Sequence, residues 1–196
     1  MMPQILIMTG ARQVGKSTVL DKAISTLRVA DVQITGLLTR RTGPHDLAVT
    51  ELHTGATYTL TDAFKLAASS PTRNFVMSET ALTRSRRSLE SAFPTQVFVL
   101  DELGPLELRA RRGWVVAFEL LKRKHYGVAI VVVRPELLGE AIGELPGPYF
   151  TVINVTRAGR DRLPSRLADW VRCHPSVRSP NLGAVYPTTS PGKSGE

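Results

Sequence analysis

A single cysteine, Cys173, stands in 196 residues, which leaves no intrachain disulfide and no Cys-rich zinc set. The chain also lacks any apolar run near the ~20 residues that a membrane-crossing helix needs. Its longest, "VAIVVV" at 128–133, is far shorter, so no membrane partner is expected. No basic leader precedes the first apolar run, which stops at Thr9, and a secretory signal is therefore not expected. A reducing cytoplasm is the simplest compartment. The four histidines, His45, His53, His125 and His174, show no metal-ligand spacing. An N/T-K-x-D segment for strict guanine recognition is missing, and so is any internal repeat.

What is present is an α/β pattern. Hydrophobic residues make up 42% and charged residues 21%, enough for one sizeable domain. Short apolar runs alternate with amphipathic stretches, the signature of βα units. Strands are predicted at 5–8, 33–39, 96–100, 127–133 and 149–155, and a hairpin at 47–52 and 56–60 around the turn signal "HTG". A short strand is expected near 75–77. Helices are predicted over 16–29, 61–69, 80–92, 114–124, 135–142 and 160–171. The near-continuous apolar strands require a mainly parallel sheet with helices on both faces, and the hairpin is read as an antiparallel insertion beside it. Residues 1–173 form this domain. Residues 174–196 carry four prolines, four serines and three glycines with few large apolar groups, and are expected to be disordered.

The first strand runs into "GARQVGKST". This fits G-x-x-x-x-G-K-[S/T] and opens a predicted helix, the setting in which such a loop cradles phosphate. The backbone N–H groups of Gly10, Ala11, Arg12, Gln13, Val14 and Gly15 and the helix N-terminus form a nest of donors for a β-phosphate. Lys16 supplies a point charge to the β- and γ-phosphates, Ser17 a hydroxyl ligand for Mg²⁺, and Thr18 a contact to the α-phosphate. A cation in the first turn of a helix is unfavourable unless an anion sits there. The loop therefore predicts binding of ATP, GTP or another nucleoside triphosphate. The same loop serves kinases, switches and hydrolases alike.

A second centre lies at "QVFVLDELGPLEL". A buried strand ends in Asp101, where a carboxylate can hold Mg²⁺, and Glu102 follows, placed to activate an attacking water. Gly104-Pro105 is read as a rigid turn over the site, and Glu107 as a cap or buttress. The strand ending at Asp101 is expected to lie beside the first strand, as the Asp-Glu order suggests a RecA-like arrangement.

"VFVLDELGPLEL" resembles the D-E-[I/L]-G-x-[M/L]-E-L segment of a small family, the thermophile-type or cancer-related nucleoside-triphosphatases. "GLLTRR" at 36–41 is similar to that family's G-F-x-T segment, and "VINVTRAGRDRLP" at 152–164 to its C-terminal V-T-x-x-N-R-D-x-L pattern. With the phosphate loop, the matches span residues 4–164. The resemblance implies a RecA-like P-loop fold and Mg²⁺-dependent hydrolysis of nucleoside triphosphates with broad base tolerance. It implies phosphate and Mg²⁺ binding by Gly15, Lys16, Ser17 and Thr18, metal support by Asp101 and water activation by Glu102. The chain departs from the pattern at Arg12-Gln13, where the family has small or proline residues, and at Gly159, where it has asparagine.

Two arginine runs could bring a cation to the γ-phosphate: Arg84, Arg86 and Arg87 on one predicted helix, and Arg109, Arg111 and Arg112 after the Asp-Glu turn. Arg134, at the end of a central strand, is a third source. Such runs are more often solvated surface. Two rival readings stand beside hydrolysis. One is a kinase transferring the γ-phosphoryl to a small molecule or nucleic acid; the other is a nucleic-acid-associated ATPase module, which the net charge of +8 and pI of 10.1 admit. No sequence feature indicates an oligomeric state.

Overall fold

"YGVAIVVV" offers no polar face, so it can be a strand only where both sides are covered. In the computed structural model, which describes residues 3–62, 75–147 and 150–178, it is β6 (Tyr126–Val133), buried at every residue. The chain order is β1 (Gln4–Thr9), α1 (Lys16–Val29), β2 (Ile34–Arg41), β3 (Leu47–Glu51), β4 (Thr57–Thr59), α2 (Glu79–Glu90), β5 (Thr95–Leu103), α3 (Pro105–Leu108), α4 (Val116–Arg123) and β6. A 3₁₀ turn at Pro135–Leu137 leads into α5 (Leu138–Glu144), followed by β7 (Phe150–Asn154), α6 (Leu163–Cys173) and α7 (Pro175–Arg178).

The seven strands form one sheet in the order β4-β3-β2-β5-β6-β1-β7. From β2 to β7 every pairing is parallel, and the β3–β4 hairpin extends the sheet antiparallel beyond β2, as the turn signal predicted. One expectation is overturned. β5 does not lie beside β1, because β6 intervenes and pairs with both. The reason is burial: β6 is apolar on both faces and belongs in the middle of the sheet, whereas β1 takes the more polar β7 as its other neighbour.

Alternation along the strands divides the core in two. Ile5, Ile7, Phe98, Leu100, Ala129 and Val131 face α2 and α4 through Leu82, Leu89, Phe118 and Leu121. Leu6, Met8, Val97, Val99, Val128, Ile130 and Val132 face α1, α6 and α7 through Leu20, Ile24, Leu27, Leu167, Val171 and Val177. This period of two within each strand is what a sheet covered on both sides requires. β2 approaches β5 closely at Gly36, whose φ is +110° and where a Cβ would lie 1.9 Å from the carbonyl oxygen of Val99.

Boundaries shifted where local chemistry outweighed periodicity. α2 starts at Glu79 because the Ser78 hydroxyl accepts from the Ala81 N–H, an N-cap at 3.4 Å. α4 starts at Val116 rather than 114, since the turn before it is tighter, the N–H groups of Ala117 and Phe118 bonding the carbonyls of Trp114 and Val115 three residues back. α6 begins at Leu163, after turns over 157–162. Residues 175–178, placed in the tail from composition, form α7 with Val177 buried and its carbonyl accepting from Gln96 Nε2 at 2.7 Å. The remainder of the expected tail, 179–196, lies outside the described residues, as does nearly all of the helix predicted over 61–69. Thr61 instead bridges Met77, all that is seen of the strand expected near 75–77.

Candidate active site

Parallel strands deliver their carboxyl ends to one edge of the sheet, and the residues that follow them meet there. Across that edge Met8 of β1 and Asp101 of β5 are each level with Val132 of β6. The phosphate loop after β1, Arg134 after β6 and the Asp-Glu pair of β5 therefore face one cleft.

The loop has the backbone its motif demands. Gly10 (φ +145°), Gln13 (φ +60°) and Gly15 (φ +107°) all have left-handed or glycine-type backbone, and Gly15 is the N-cap of α1. At Gly10 a Cβ would lie 2.6 Å from the carbonyl oxygen of Val155, so side-chain space is closed as well as the angle. Arg12 and Gln13, the departures from the family pattern, line the cleft with Gly10, Gly15, Lys16, Ser17 and Thr18. Lys16 folds back over its own loop, its ammonium donating to the carbonyls of Gly10 at 2.7 Å and Ala11 at 3.1 Å. The first turn of α1 holds no acidic residue. The helix end thus keeps its positive potential for an anion.

Asp101 is 2% exposed. Burial pushes its carboxyl up to about 7, the charge of Glu102 adds to this, and the Ser17 hydroxyl and Arg40 guanidinium hold it down. A buried carboxylate that is under-compensated and bonded to the serine of the phosphate loop is a donor set suited to a small hard cation such as Mg²⁺. Arg40 sits on the rim of this site: it pairs with Asp21, reaches Asp101 Oδ2 at 3.4 Å, and donates to the Thr39 carbonyl at 2.7 Å. Thr39 in turn donates its hydroxyl to the Asp101 carbonyl at 2.7 Å. Sequence reasoning assigned no role to either residue, although both lie in the "GLLTRR" segment.

The β5–β6 ladder is irregular between Asp101 and Leu103, so Glu102 steps out of register towards the cleft. Its carboxylate accepts from Arg134 Nε at 2.5 Å. Behind it, the Gly104-Pro105 turn opens α3, and Glu107 closes that turn in a capping arrangement. The Glu107 carboxylate, 4% exposed, accepts from the N–H of Gly104 at 3.0 Å and of Trp114 at 3.2 Å. Burial raises it to about 7 against those two bonds.

Of the arginines weighed from sequence, Arg134 and not the runs reaches the site. Arg109 pairs with Glu140 at 2.6 Å, Arg111 with Glu144, and Arg112 with Glu79, all on the surface. Arg84 binds Glu51 at 3.3 Å and stacks 3.9 Å above the Tyr58 ring, tying α2 to the hairpin. Arg160 was missed as a loop contact. It donates to the Val14 carbonyl at 3.3 Å and passes over Gly15, and with Asp161, Pro164, Lys22, Thr18 and Val19 it lines a separate groove of about 240 Å³. The main cleft, about 540 Å³, extends the other way, from the phosphate loop past Glu102 to an apolar wall of Leu47, Leu60, Met77, Leu82 and Trp114.

A family model described as NTPase matches residues 5–168. Among solved structures, the crystal structure of THEP1 from the hyperthermophile Aquifex aeolicus is similar, with 19% identity and a TM-score of 0.60 over 85% of this chain and 98% of that one. No curated protein matches the chain. The fold is that of a RecA-like P-loop NTPase.

Proposed function

This chain belongs to the NTPase family, and from that premise we propose that it hydrolyses the β–γ anhydride of nucleoside triphosphates with broad base tolerance, releasing nucleoside diphosphate and phosphate. The observation that carries the reading is the convergence of Lys16, Ser17 and Glu102 on one cleft, with Asp101 buried beside Ser17. The triphosphate lies along the loop, its β-phosphate against the amides of residues 10–16 and its α-phosphate near Thr18. Arriving phosphate oxygens replace the carbonyls of Gly10 and Ala11 as partners of the Lys16 ammonium. The nucleoside extends into the groove of Lys22, Arg160, Asp161 and Pro164.

Glu102 accepts a proton from water as its oxygen attacks the γ-phosphorus. The bond to the β–γ bridging oxygen breaks, and the diphosphate leaves with that oxygen. The charge that develops is met by Lys16 and the loop amides, preorganised before the reaction begins. Ser17 and Asp101 would hold Mg²⁺, which when bound neutralises charge on the β- and γ-oxygens. No described helix is long and apolar enough to cross a membrane, and a cytoplasmic location, where triphosphates and Mg²⁺ are abundant, suits the reading.

The test is release of free phosphate from ATP, GTP, CTP and UTP with Mg²⁺, with and without RNA or DNA. Several triphosphates should turn over without an acceptor, Lys16→Ala should abolish turnover, and Glu102→Gln should reduce it at least ~10²-fold. No free phosphate from any nucleotide would sink the proposal. The apolar end of the cleft favours a second reading, transfer to an organic acceptor, which would show as phosphoryl label retained on that acceptor. Turnover confined to mixtures with nucleic acid would favour the ATPase module.

A further inference from the structure

Arg134 is the first residue after β6, the strand inserted between the phosphate-loop strand and the Asp-Glu strand. Its backbone therefore stands between the two halves of the site. It lines the same cleft as Lys16, Ser17 and Glu102, with its side chain 46% exposed and that of Glu102 27% exposed. Its Nε–H donates to Glu102 Oε1 at 2.5 Å. That charge-assisted bond occupies one of the two carboxylate oxygens and fixes the side chain's direction, so it must break or turn before that oxygen can take a water. The group placed to activate water is thus held by a cation in this structure.

That cation has an evident competitor. A γ-phosphate between Lys16 and Glu102 brings oxygens of higher charge than a carboxylate, and guanidinium groups bind phosphate in the same forked geometry. Resting on the reading of this cleft as a triphosphate site, we infer that Arg134 is a γ-phosphate-responsive positioning residue. It restrains Glu102 in the empty site, and the γ-phosphate draws it away, freeing Glu102 for water. A diphosphate has no group to compete for Arg134, so after phosphate leaves the pair re-forms and Glu102 is again held.

The distinguishing property is that Arg134 recognises the third phosphate and no other. Affinities of ADP and of the non-hydrolysable β,γ-imido analogue of ATP, both with Mg²⁺, are measured by calorimetry on wild type, Arg134→Ala and Arg134→Lys. Arg134→Ala should weaken the imido analogue about tenfold or more and leave ADP unchanged, since bonds to charged groups carry about 1.5–3 kcal/mol. Arg134→Lys should recover part of that loss. A purely structural role would weaken both nucleotides together.

Glu102→Gln supplies the second arm. It removes the competing carboxylate, so the imido analogue should bind more tightly. The gain should be several-fold larger with Arg134 present than in the Arg134→Ala background, where only relief of carboxylate–phosphate repulsion remains. Equal gains in the two backgrounds, or an unchanged ratio of analogue to ADP affinity in Arg134→Ala, would overturn the inference while leaving nucleotide binding intact. Failure of both nucleotides to bind wild-type protein, tried also with the guanine pair, would overturn the parent reading and the inference with it. Arg134 is a half-exposed side chain, and melting curves of each variant check that the fold is retained.

Discussion

Replacing Glu107 by glutamine should make the pH dependence of stability visible at one position. The side chain is 4% exposed, and burial lifts its pKa from the ordinary 4.5 to about 7, against two backbone N–H bonds that favour the ionised form. Between those values the folded protein holds a proton on Glu107 that the unfolded chain has released. The stability this group contributes is therefore complete below pH 4.5 and is lost as pH rises through 7. A displacement of that size corresponds to about 3 kcal/mol at pH 8. Glutamine keeps the volume and one acceptor oxygen, and does not titrate. Urea unfolding at pH 5, 6, 7 and 8, in the absence of Mg²⁺ and nucleotide, should show wild type losing about 2.5 kcal/mol relative to Glu107→Gln across the series, the first part of the loss having occurred by pH 5. Asp101 titrates in the same range in both proteins, so its contribution cancels in the difference. A difference that stays flat with pH would refute the claim that burial dominates at Glu107.

Ser85→Ala should leave the Trp114 Nε1–H, now bonded to the serine hydroxyl at 2.8 Å, buried without an acceptor, lowering stability by about 1–3 kcal/mol. A melting curve would show a drop of several degrees, and Trp114→Phe in the Ser85→Ala background should cost less than it does alone. Gly36→Ala puts a methyl 1.9 Å from the Val99 carbonyl at a φ of +110°, and should cost more than ~4 kcal/mol, read as loss of the cooperative unfolding transition or of soluble protein. Asp101→Asn should shift the Mg²⁺ dependence of phosphate release to at least ~10-fold higher concentration, with ADP affinity in the absence of metal little changed. An unchanged Mg²⁺ requirement would remove Asp101 from the metal site.

What could be read from the sequence divides along a physical line. The phosphate loop and α1 were legible because their signals are local: four apolar residues, Ile5 to Met8, a glycine pattern and buried positions Val19, Leu20, Ala23, Ile24 and Leu27 at helical spacing. Asp101 and Glu102 were legible as the polar end of an apolar run. The place of β6 was not, because nothing within "YGVAIVVV" says which two strands it will divide. Strand order depends on how both faces of the whole sheet are covered, which no single segment states. Arg40, Arg134 and Arg160 differ from the paired surface arginines through what the fold carries up to them. Arg134 is next to Glu102 only through the β5–β6 ladder, and Arg160 reaches Val14 across 146 positions. The tail boundary moved for a similar reason, since Val177 finds cover against β5 and β6 that its neighbours in sequence could not foretell.

That span between Arg160 and Val14 bears on how the protein is made. The Val155 N–H bonds to the Thr9 carbonyl at 2.8 Å, β7 supplies the far edge of β1, and Arg160 covers Gly15. The loop leaves the ribosome well before the residues that wall it, 146 positions separating Val14 from Arg160. A chain halted before residue 150 would carry the whole phosphate motif with β1 open along one side and Gly10 without its neighbour. The walls of the proposed triphosphate site are thus complete only after residues 150–160 have been made, long after the motif itself.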